Sequence, residues 1–490
     1  MFSYIISVEE MNKKGCKSMY EYLYMCIRDD ILEGKLAANT RLPSKREFAR
    51  EYKISLKTVE NTYEQLLMEG YIYSVEKSGY FVEEIETGKL RNSNFLYDDF
   101  GIEERADFGY ENVSVKMKSD MNIDDEKIDL TSNKAAIEHF PYSTWVKIMR
   151  EVLVNREKEL LSPVPFAGVY ELRVEIAKYL YEYKGMRVSP NQIIVGAGTE
   201  YLYGRLIQLL GKDCVYGVED PGYHRITKLY EVNGVGWKYI GIDEDGLKVE
   251  ELELSENSKV NVIHVSPGHH FPTGTIMPVG RRKLLLDWAK KERDRYIIED
   301  DFDSEFRFSK RPIPAIQSMD VNHRVIYFNT FSKTLAPSIR ISYMVLPPKL
   351  MDRYISTMNF YACTVSAFEQ YAMAEFMKNG YFQRHIYRMK KYYKNQRNEI
   401  LKVLKESQLY LKMQVEEKDA GNHFLIKLDT QLSDTQLKWF AKERGIVLDC
   451  LSEYCELDKD RYQHCVIVNY SDLSGAKMKI ALEKLEAEFV

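Results

Sequence analysis

Two unlike domains are predicted from this sequence: an N-terminal winged helix-turn-helix and a much larger α/β domain. Three observations predict them. The 490 residues exceed what one hydrophobic core ordinarily serves. Near the amino terminus, three short helical patterns run into a glycine-tipped pair of strand patterns. From residue 128 onward, strand patterns alternate with helical ones, and polar residues stand at each strand end. An open α/β sheet builds its site along such an edge.

The first domain is placed at residues 17–83. Tyr20, Leu23, Tyr24, Ile27 and Ile31 recur at helical spacing and predict an amphipathic helix that Gly34 ends. Ser44 followed by Glu47 makes a capping box, so a second short helix starts there and buries Phe48 and Ala49. Lys53-Ile54-Ser55 is the turn. A third helix then buries Val59, Tyr63, Leu66 and Leu67, points Lys57, Glu60, Asn61 and Glu64 outward, and stops at Gly70. Tyr71 to Val82 alternates about Lys77-Ser78-Gly79, which predicts a two-stranded ribbon with a basic tip.

Between Arg41 and Lys57 stand six basic residues (Arg41, Lys45, Arg46, Arg50, Lys53, Lys57) against two acidic ones, a local excess of +4. That charge, with Lys77 on the wing, suits double-stranded DNA, the third helix entering the major groove. Arg41-Leu-Pro-Ser-Lys-Arg46 and Thr58-Val59, Tyr63, Leu66 and Glu69-Gly70 resemble the signature of GntR-type DNA-binding domains. The resemblance implies phosphate or base contacts from Arg41, Ser44, Arg46, Ser55, Lys57 and Thr58. It also implies that Gly79 lets the wing approach the minor groove.

Residues 84–127 carry twelve acidic and six basic side chains and no proline, which reads as an acidic linker. The whole chain has 69 basic and 74 acidic residues, net −5, which argues against non-specific coating of nucleic acid. No apolar run is long enough to span a membrane, and the first residues do not resemble a secretory signal. The seven cysteines include no C-x-x-C, and Cys450, Cys455, His464 and Cys465 match no common zinc module. Reduced packing thiols in a cytosolic protein are expected.

The second domain, residues 128–490, is read strand by strand. Gln192 to Glu200 is a strand entering a glycine turn and then a helix through Leu210. Lacking a third glycine, it is a poor dinucleotide fingerprint, yet amides at such a turn suit one phosphate. Cys214–Glu219 leads into Asp220-Pro-Gly-Tyr223, and Val260–Val265 into Ser266-Pro-Gly-His-His-Phe-Pro-Thr-Gly274. Tyr296–Asp301 ends in carboxylates. The apolar run Val325–Phe328 ends in Asn-Thr-Phe-Ser-Lys333, with Arg340 seven positions on.

A lysine at a strand end can form a Schiff base with a carbonyl cofactor, and hydroxyls with an arginine can hold a phosphate beside it. These junctions supply what a pyridine aldehyde phosphate needs. Lys333 is the catalytic lysine, Asp300 holds the ring nitrogen protonated, and Tyr223 stacks on the ring. Gly198, Thr199, Glu200, Thr330, Ser332 and Arg340 seat the phosphate. Asp301 and Asp303 compete for the role of Asp300, and the run Glu299–Asp303 also reads as an acidic turn or metal cluster. No histidine spacing supports a metal, and none is expected.

Taken with Phe271-Pro-Thr-Gly274, Ile297-Ile-Glu-Asp-Asp301, Ser304-Glu-Phe306, Thr330-Phe-Ser-Lys333 and Arg340, this region resembles a fold type I aminotransferase, which implies that the cofactor is pyridoxal 5′-phosphate. From about residue 17 to the end the chain resembles the MocR/GabR group of GntR regulators. The resemblance implies a regulator that senses an amine or amino-acid-like effector through aldimine exchange at Lys333, without efficient turnover. It also implies a head-to-tail homodimer on repeated DNA half-sites. The alternative is an active aminotransferase that carries a DNA-binding domain.

Three positions depart from related patterns. Phe302 occupies the place of a tyrosine that bonds the cofactor's ring hydroxyl, and Phe271 the place where ordinary aminotransferases have asparagine. Asp472, in Val466-Ile-Val-Asn-Tyr-Ser-Asp472, stands where GABA-sensing members carry an arginine for the ligand carboxylate. Arg225 matches the other carboxylate-binding arginine. Arg225 and Asp472 are thus the effector-binding candidates, Asp472 facing a cation or hydroxyl or merely capping a surface turn.

Overall fold

The computed structural model describes residues 18–32, 34–68, 71–75, 78–83, 127–133, 136–253, 259–308 and 314–489. They fall into two compact units, Met1–Asp125 and Glu126–Val490. Lys77, Gly70 and nearly all of the acidic connector lie outside the described residues.

In the first unit, helix α1 (Met19–Leu32) buries Leu23, Ile27 and Ile31. Tyr20 does not join them: its side chain is exposed, and its carbonyl accepts the buried Thr62 hydroxyl at 3.2 Å. Strand β1 (Arg41–Leu42) precedes α2 (Lys45–Glu51), whose capping box between Ser44 and Glu47 is present in full. Helix α3 (Leu56–Met68) packs Val59, Tyr63 and Leu66 into the core, while Leu67 is only half-buried. Strands β2 (Ile72–Val75) and β3 (Gly79–Val82) form the wing, and β1 joins them in the order β1-β3-β2. A two-residue strand is too short to show alternation, so the ribbon was legible and its third strand was not.

The second unit opens with β4 (Ile128–Asp129), which later pairs with β15 (Ile446–Val447). Its main sheet runs through β5 (Ile193–Gly196), β6 (Val215–Asp220), β7 (Gly236–Asp243), β8 (Gly246–Leu247), β9 (Val262–Val265), β10 (Tyr296–Asp300), β11 (Val325–Thr330) and β12 (Ser342–Val345). The spatial order is β5-β12-β11-β10-β9-β6-β7-β8, with β12 and β8 antiparallel to their neighbours. Strand β11 is buried at every position because both faces of the sheet are covered. The register sets Gly196 opposite Ser342 and Ser342 opposite Thr330, and the C-terminal ends of β5, β11, β10, β9 and β6 share one edge.

A smaller antiparallel sheet holds β13 (Met413–Glu416), β14 (His423–Leu428), β17 (Cys465–Asn469) and β16 (Asp449–Cys450), in that order. The 26-residue helix Tyr381–Glu406 links the two lobes. Its Phe382 packs into the main core with Tyr327 and Phe331, whereas Tyr393, Ile400 and Leu404 pack with Phe424 and Val468 of the smaller sheet. His385 donates from Nε2 to the Thr334 carbonyl at 2.8 Å, burial having lowered its pKa to about 4. Among the described residues no helix is long and apolar enough to cross a membrane.

Candidate cofactor site and DNA-binding face

Lys333 sits in the short helix Phe331–Thr334 directly after β11. Thr330 caps that helix, accepting the Ser332 N–H at 3.2 Å and the Ser342 hydroxyl at 2.8 Å. Ser332 donates to the Ile339 carbonyl at 2.7 Å. The two hydroxyls expected at a phosphate are therefore engaged in holding the turn that places Lys333. The lysine is half-buried and donates to the Asn133 carbonyl at 3.1 Å. Burial lowers its pKa; Asp303 opposes this and Arg225 adds to it.

Asp300 ends β10. Its Oδ2 lies 3.6 Å from His264 Nε2, which also contacts the Tyr203 hydroxyl at 2.8 Å. Its Oδ1 is buried without a hydrogen-bond partner, a state that costs about 1–3 kcal/mol unless a donor arrives. Each competing carboxylate is engaged through one oxygen, though Asp301 Oδ1, like Asp300 Oδ1, is buried without a partner. Asp301 Oδ2 meets Lys184 Nζ at 2.8 Å and the Tyr327 hydroxyl at 2.7 Å; Lys184 also contacts Ser304 and, at 3.4 Å, Glu305. Burial alone raises the Asp301 carboxyl, but Lys184 overrides it and holds the pKa below the usual range. Asp303 Oδ2 bonds His269 Nδ1 at 3.0 Å.

Gly198 caps the helix Thr199–Leu210 at φ 99° without a side-chain cap, so the first amides of that helix are open to an anion. A Cβ there would collide with the Arg340 guanidinium, so glycine is what brings Arg340 against the helix end. Arg340 Nη2 pairs with Glu200 Oε2 at 3.1 Å. The Gly198 N–H donates to the Gly196 carbonyl at 3.0 Å, and a carboxylate repels phosphate, so the Thr199 amide and Arg340 suit an anion and the Glu200 side chain does not.

Tyr223 is 45% exposed. Burial raises its phenol pKa, Arg225 opposing and Glu200 and Asp300 reinforcing, so three expected site residues surround one ring. The Arg225 guanidinium lies 5.9 Å from the Tyr223 centroid. Asp472 is exposed after β17, and its charge acts on Tyr392 and Tyr393. The structure thus groups Arg225 with Lys333 and places Asp472 beside the tyrosines of the long helix.

Several site residues carry no local sequence signal. Phe271 meets Tyr223 edge-on with centroids 6.0 Å apart, Tyr454 at 5.3 Å and His423 at 5.3 Å. Asn133, Tyr454 and His423 reach the site from distant segments. His269, Asp303 and His423 come within 4.8 Å of one another, a buried grouping that no linear spacing shows. His269 Nδ1 is bonded to Asp303 and His423 Nε2 to the Pro272 carbonyl at 3.0 Å, while His269 Nε2 is buried without a hydrogen-bond partner.

Glu219, beside this edge, supplies a pH test. Burial raises its carboxyl pKa to about 8, the Ser266 amide opposing and Asp300 adding, while burial lowers His270 to about 3. Their 3.4 Å contact therefore joins neutral groups near pH 7. An acid whose folded pKa exceeds its unfolded value of roughly 4.3 stabilises fully below that value. The contribution is lost as pH rises through about 8. Glu219→Gln is expected to shrink the fall in melting temperature between about pH 5 and 8 by several degrees in calorimetry. An unchanged slope would mean that Glu219 is already ionised.

In the first unit, Arg46 and Lys57 are exposed on α2 and α3. Arg41 lies against Gly79 of the wing, and Lys45 sits 5.2 Å from the Tyr80 ring. Ser55 caps α3, accepting the Thr58 N–H at 3.0 Å and meeting its hydroxyl at 2.7 Å. Ser44 is engaged in its capping box. These serines therefore position helices, and the exposed cations are left to face phosphate.

Two family patterns match the chain. Residues 125–485 match the aminotransferase class I and II family, and residues 19–82 match the bacterial regulatory proteins of the gntR family. The HTH-type transcriptional regulator YdeL of Bacillus subtilis is 34% identical over 96% of both chains. The probable rhizopine catabolism regulatory protein MocR of Rhizobium meliloti is 30% identical over 96% of this chain and 94% of its own. Among solved structures, Pyrococcus horikoshii kynurenine aminotransferase superposes with a TM-score of 0.66 at 25% identity, covering 74% of this chain and 92% of its own.

Fold and site together define a GntR-type DNA-binding domain fused to an aminotransferase-like domain of fold type I, whose cofactor is pyridoxal 5′-phosphate. The residues present fit that cofactor. Asp300 Oδ1 is a buried acceptor lacking a donor, the helix start after Gly198 with Arg340 makes an anion seat, and Lys333 has a lowered pKa. The chain belongs to the MocR group of GntR-type transcription regulators.

Proposed function

We propose that the protein is a cytoplasmic, homodimeric regulator that binds an operator through its first unit and senses an amine or amino-acid-like effector at Lys333. The observation that carries this reading is Lys333 itself, a half-buried amine of lowered pKa beside Arg225 in a chain that also holds a DNA-binding domain. When bound, the cofactor supplies an electrophilic carbonyl carbon and an electron-withdrawing ring. Lys333 would hold it through its amine and yield that place to the amine of the effector. Asp300 would hold the proton at the ring nitrogen, and Tyr223 would cover one ring face. The Thr199 amide at the helix start after Gly198 and Arg340 would bind the phosphate, with Thr330 and Ser332 fixing the turn beside them. Arg225 would take an anionic group of the effector. Exposed Asp472 is left out of this reading.

Phe271 and Phe302 have no donors to offer the ring oxygen, which favours binding over turnover. Exposed Arg41, Arg46 and Lys57 would meet DNA phosphates.

The test uses purified holoprotein, a series of primary amines and amino acids, and a fluorescent promoter fragment of its own gene. Expected are a shifted visible absorbance band, no accumulating keto product, and changed DNA affinity. Sustained keto product with a 2-oxo acid present would make the protein an aminotransferase, and an inert band would sink the reading.

A further inference from the structure

The wall beside Lys333 and Arg225 is built of rings brought together from three parts of the chain. Tyr223 follows β6, Phe271 follows β9, and Tyr454 lies in the loop between β16 and β17. Phe271 is the centre, meeting Tyr223 at 86° and Tyr454 at 90°, both edge-on.

Tyr454 is held in place from both ends. Its carbonyl accepts the Gly222 N–H at 2.9 Å. The Asp220 carboxylate clasps the residues that follow, accepting from the Glu456 and Leu457 amides at 2.8 Å each and from Cys455 Sγ at 3.2 Å. The Tyr454 hydroxyl donates to Asp449 Oδ2 at 3.0 Å. A ring fixed at backbone and hydroxyl is a preorganised surface.

Two polar atoms beside Phe271 are engaged within the protein. The Tyr454 hydroxyl is on Asp449, and His423 Nε2 is on the Pro272 carbonyl. Burial lowers the His423 pKa, so that ring is neutral too. Phe271 has no polar atom. An effector side chain lying against Phe271 and the Tyr454 ring meets apolar ring surface over most of its contact, which favours bulky apolar groups over small or polar ones.

We propose that Tyr454, with Phe271, determines effector specificity and selects an amino acid whose side chain is aromatic or bulky and apolar. The inference rests on the amine-sensing reading and sharpens it. Lys333 meets the amine, Arg225 the carboxylate, and the Phe271–Tyr454 wall the side chain.

The test titrates holoprotein with L-phenylalanine and L-alanine, which share amine and carboxylate, and reads half-saturation at the visible band. L-Phenylalanine is expected to saturate about ten-fold lower, or better. Tyr454→Ala is expected to cut that ratio to about three-fold or less, and Tyr454→Phe to keep most of it, since the ring remains. Equal half-saturation in the wild type, or an unchanged ratio in a cofactor-loaded Tyr454→Ala protein, overturns the inference. A band that answers β-alanine but neither of these amino acids overturns it while leaving amine sensing intact. A band that answers none of the three overturns both.

Discussion

Lys333→Ala is expected to abolish covalent attachment of the cofactor while leaving the fold in place. After borohydride treatment and denaturation, the wild type should retain about one cofactor per chain and the variant none. Every amine-dependent change in DNA affinity should vanish with it. The side chain makes one hydrogen bond, to the Asn133 carbonyl, so melting should move by only about 1 kcal/mol equivalent or less. The expectation is specific because another buried amine stands nearby in the fold. Lys184 is enclosed by Asp301, Glu305 and Ser304, the two carboxylates holding its ammonium in ion pairs. Cofactor still fixed in the Lys333→Ala protein would assign the attachment to a different lysine.

Lys184→Met should produce the largest loss of stability. Its ammonium is buried, and although burial alone would lower its pKa, Asp301 and Glu305 raise it above the ordinary lysine value. Both carboxylates are buried as well and are ringed by the Tyr327 and Tyr179 hydroxyls. Removing the cation strands two buried negative charges, at a cost of about 3–5 kcal/mol. The sign of the pH dependence follows. Asp301 has a depressed folded pKa, so its pairing stabilises above the unfolded value of roughly 3.9 and is lost as pH falls through the folded one. Without Lys184 the carboxyls take up protons at higher pH. The gap between wild type and variant should therefore narrow on acidification from about pH 7 to 5, as followed by chemical denaturation. A gap constant over that range would show that the lost packing of Lys184, not its charge, sets the cost.

The contrast between these lysines shows what the sequence could disclose. Lys333 was legible because its neighbours in the chain are also its neighbours in the site: strand, hydroxyls, lysine and arginine follow one another. Asp300 was legible as one of three candidates. What sets the three apart in the fold is Lys184 on Asp301 and His269 on Asp303, partners that lie far off in sequence. The capping box at Ser44 read correctly, since an N-cap is a local event. Thr330, Ser332 and Glu200 were read for their chemistry, but the β11–β12 pairing and the Arg340 contact decide where their polar atoms point. Tyr20 kept helical spacing yet lies at the margin of the face that α3 covers. Tyr454 and His423 had no motif at all; only the return of the smaller sheet to the edge of the larger one brings them in.

The long helix Tyr381–Glu406 has a mechanical side. His385, near its start, is pinned to the turn that carries Lys333, and its far half is rooted in the smaller lobe. From His385 to Glu406 the rod is about 32 Å long. A tilt of about 5° at the pinned end would carry the far end about 3 Å. A small rearrangement at the turn that carries Lys333 thus has leverage on the far half of the helix, where Ile400 and Leu404 pack with the smaller sheet.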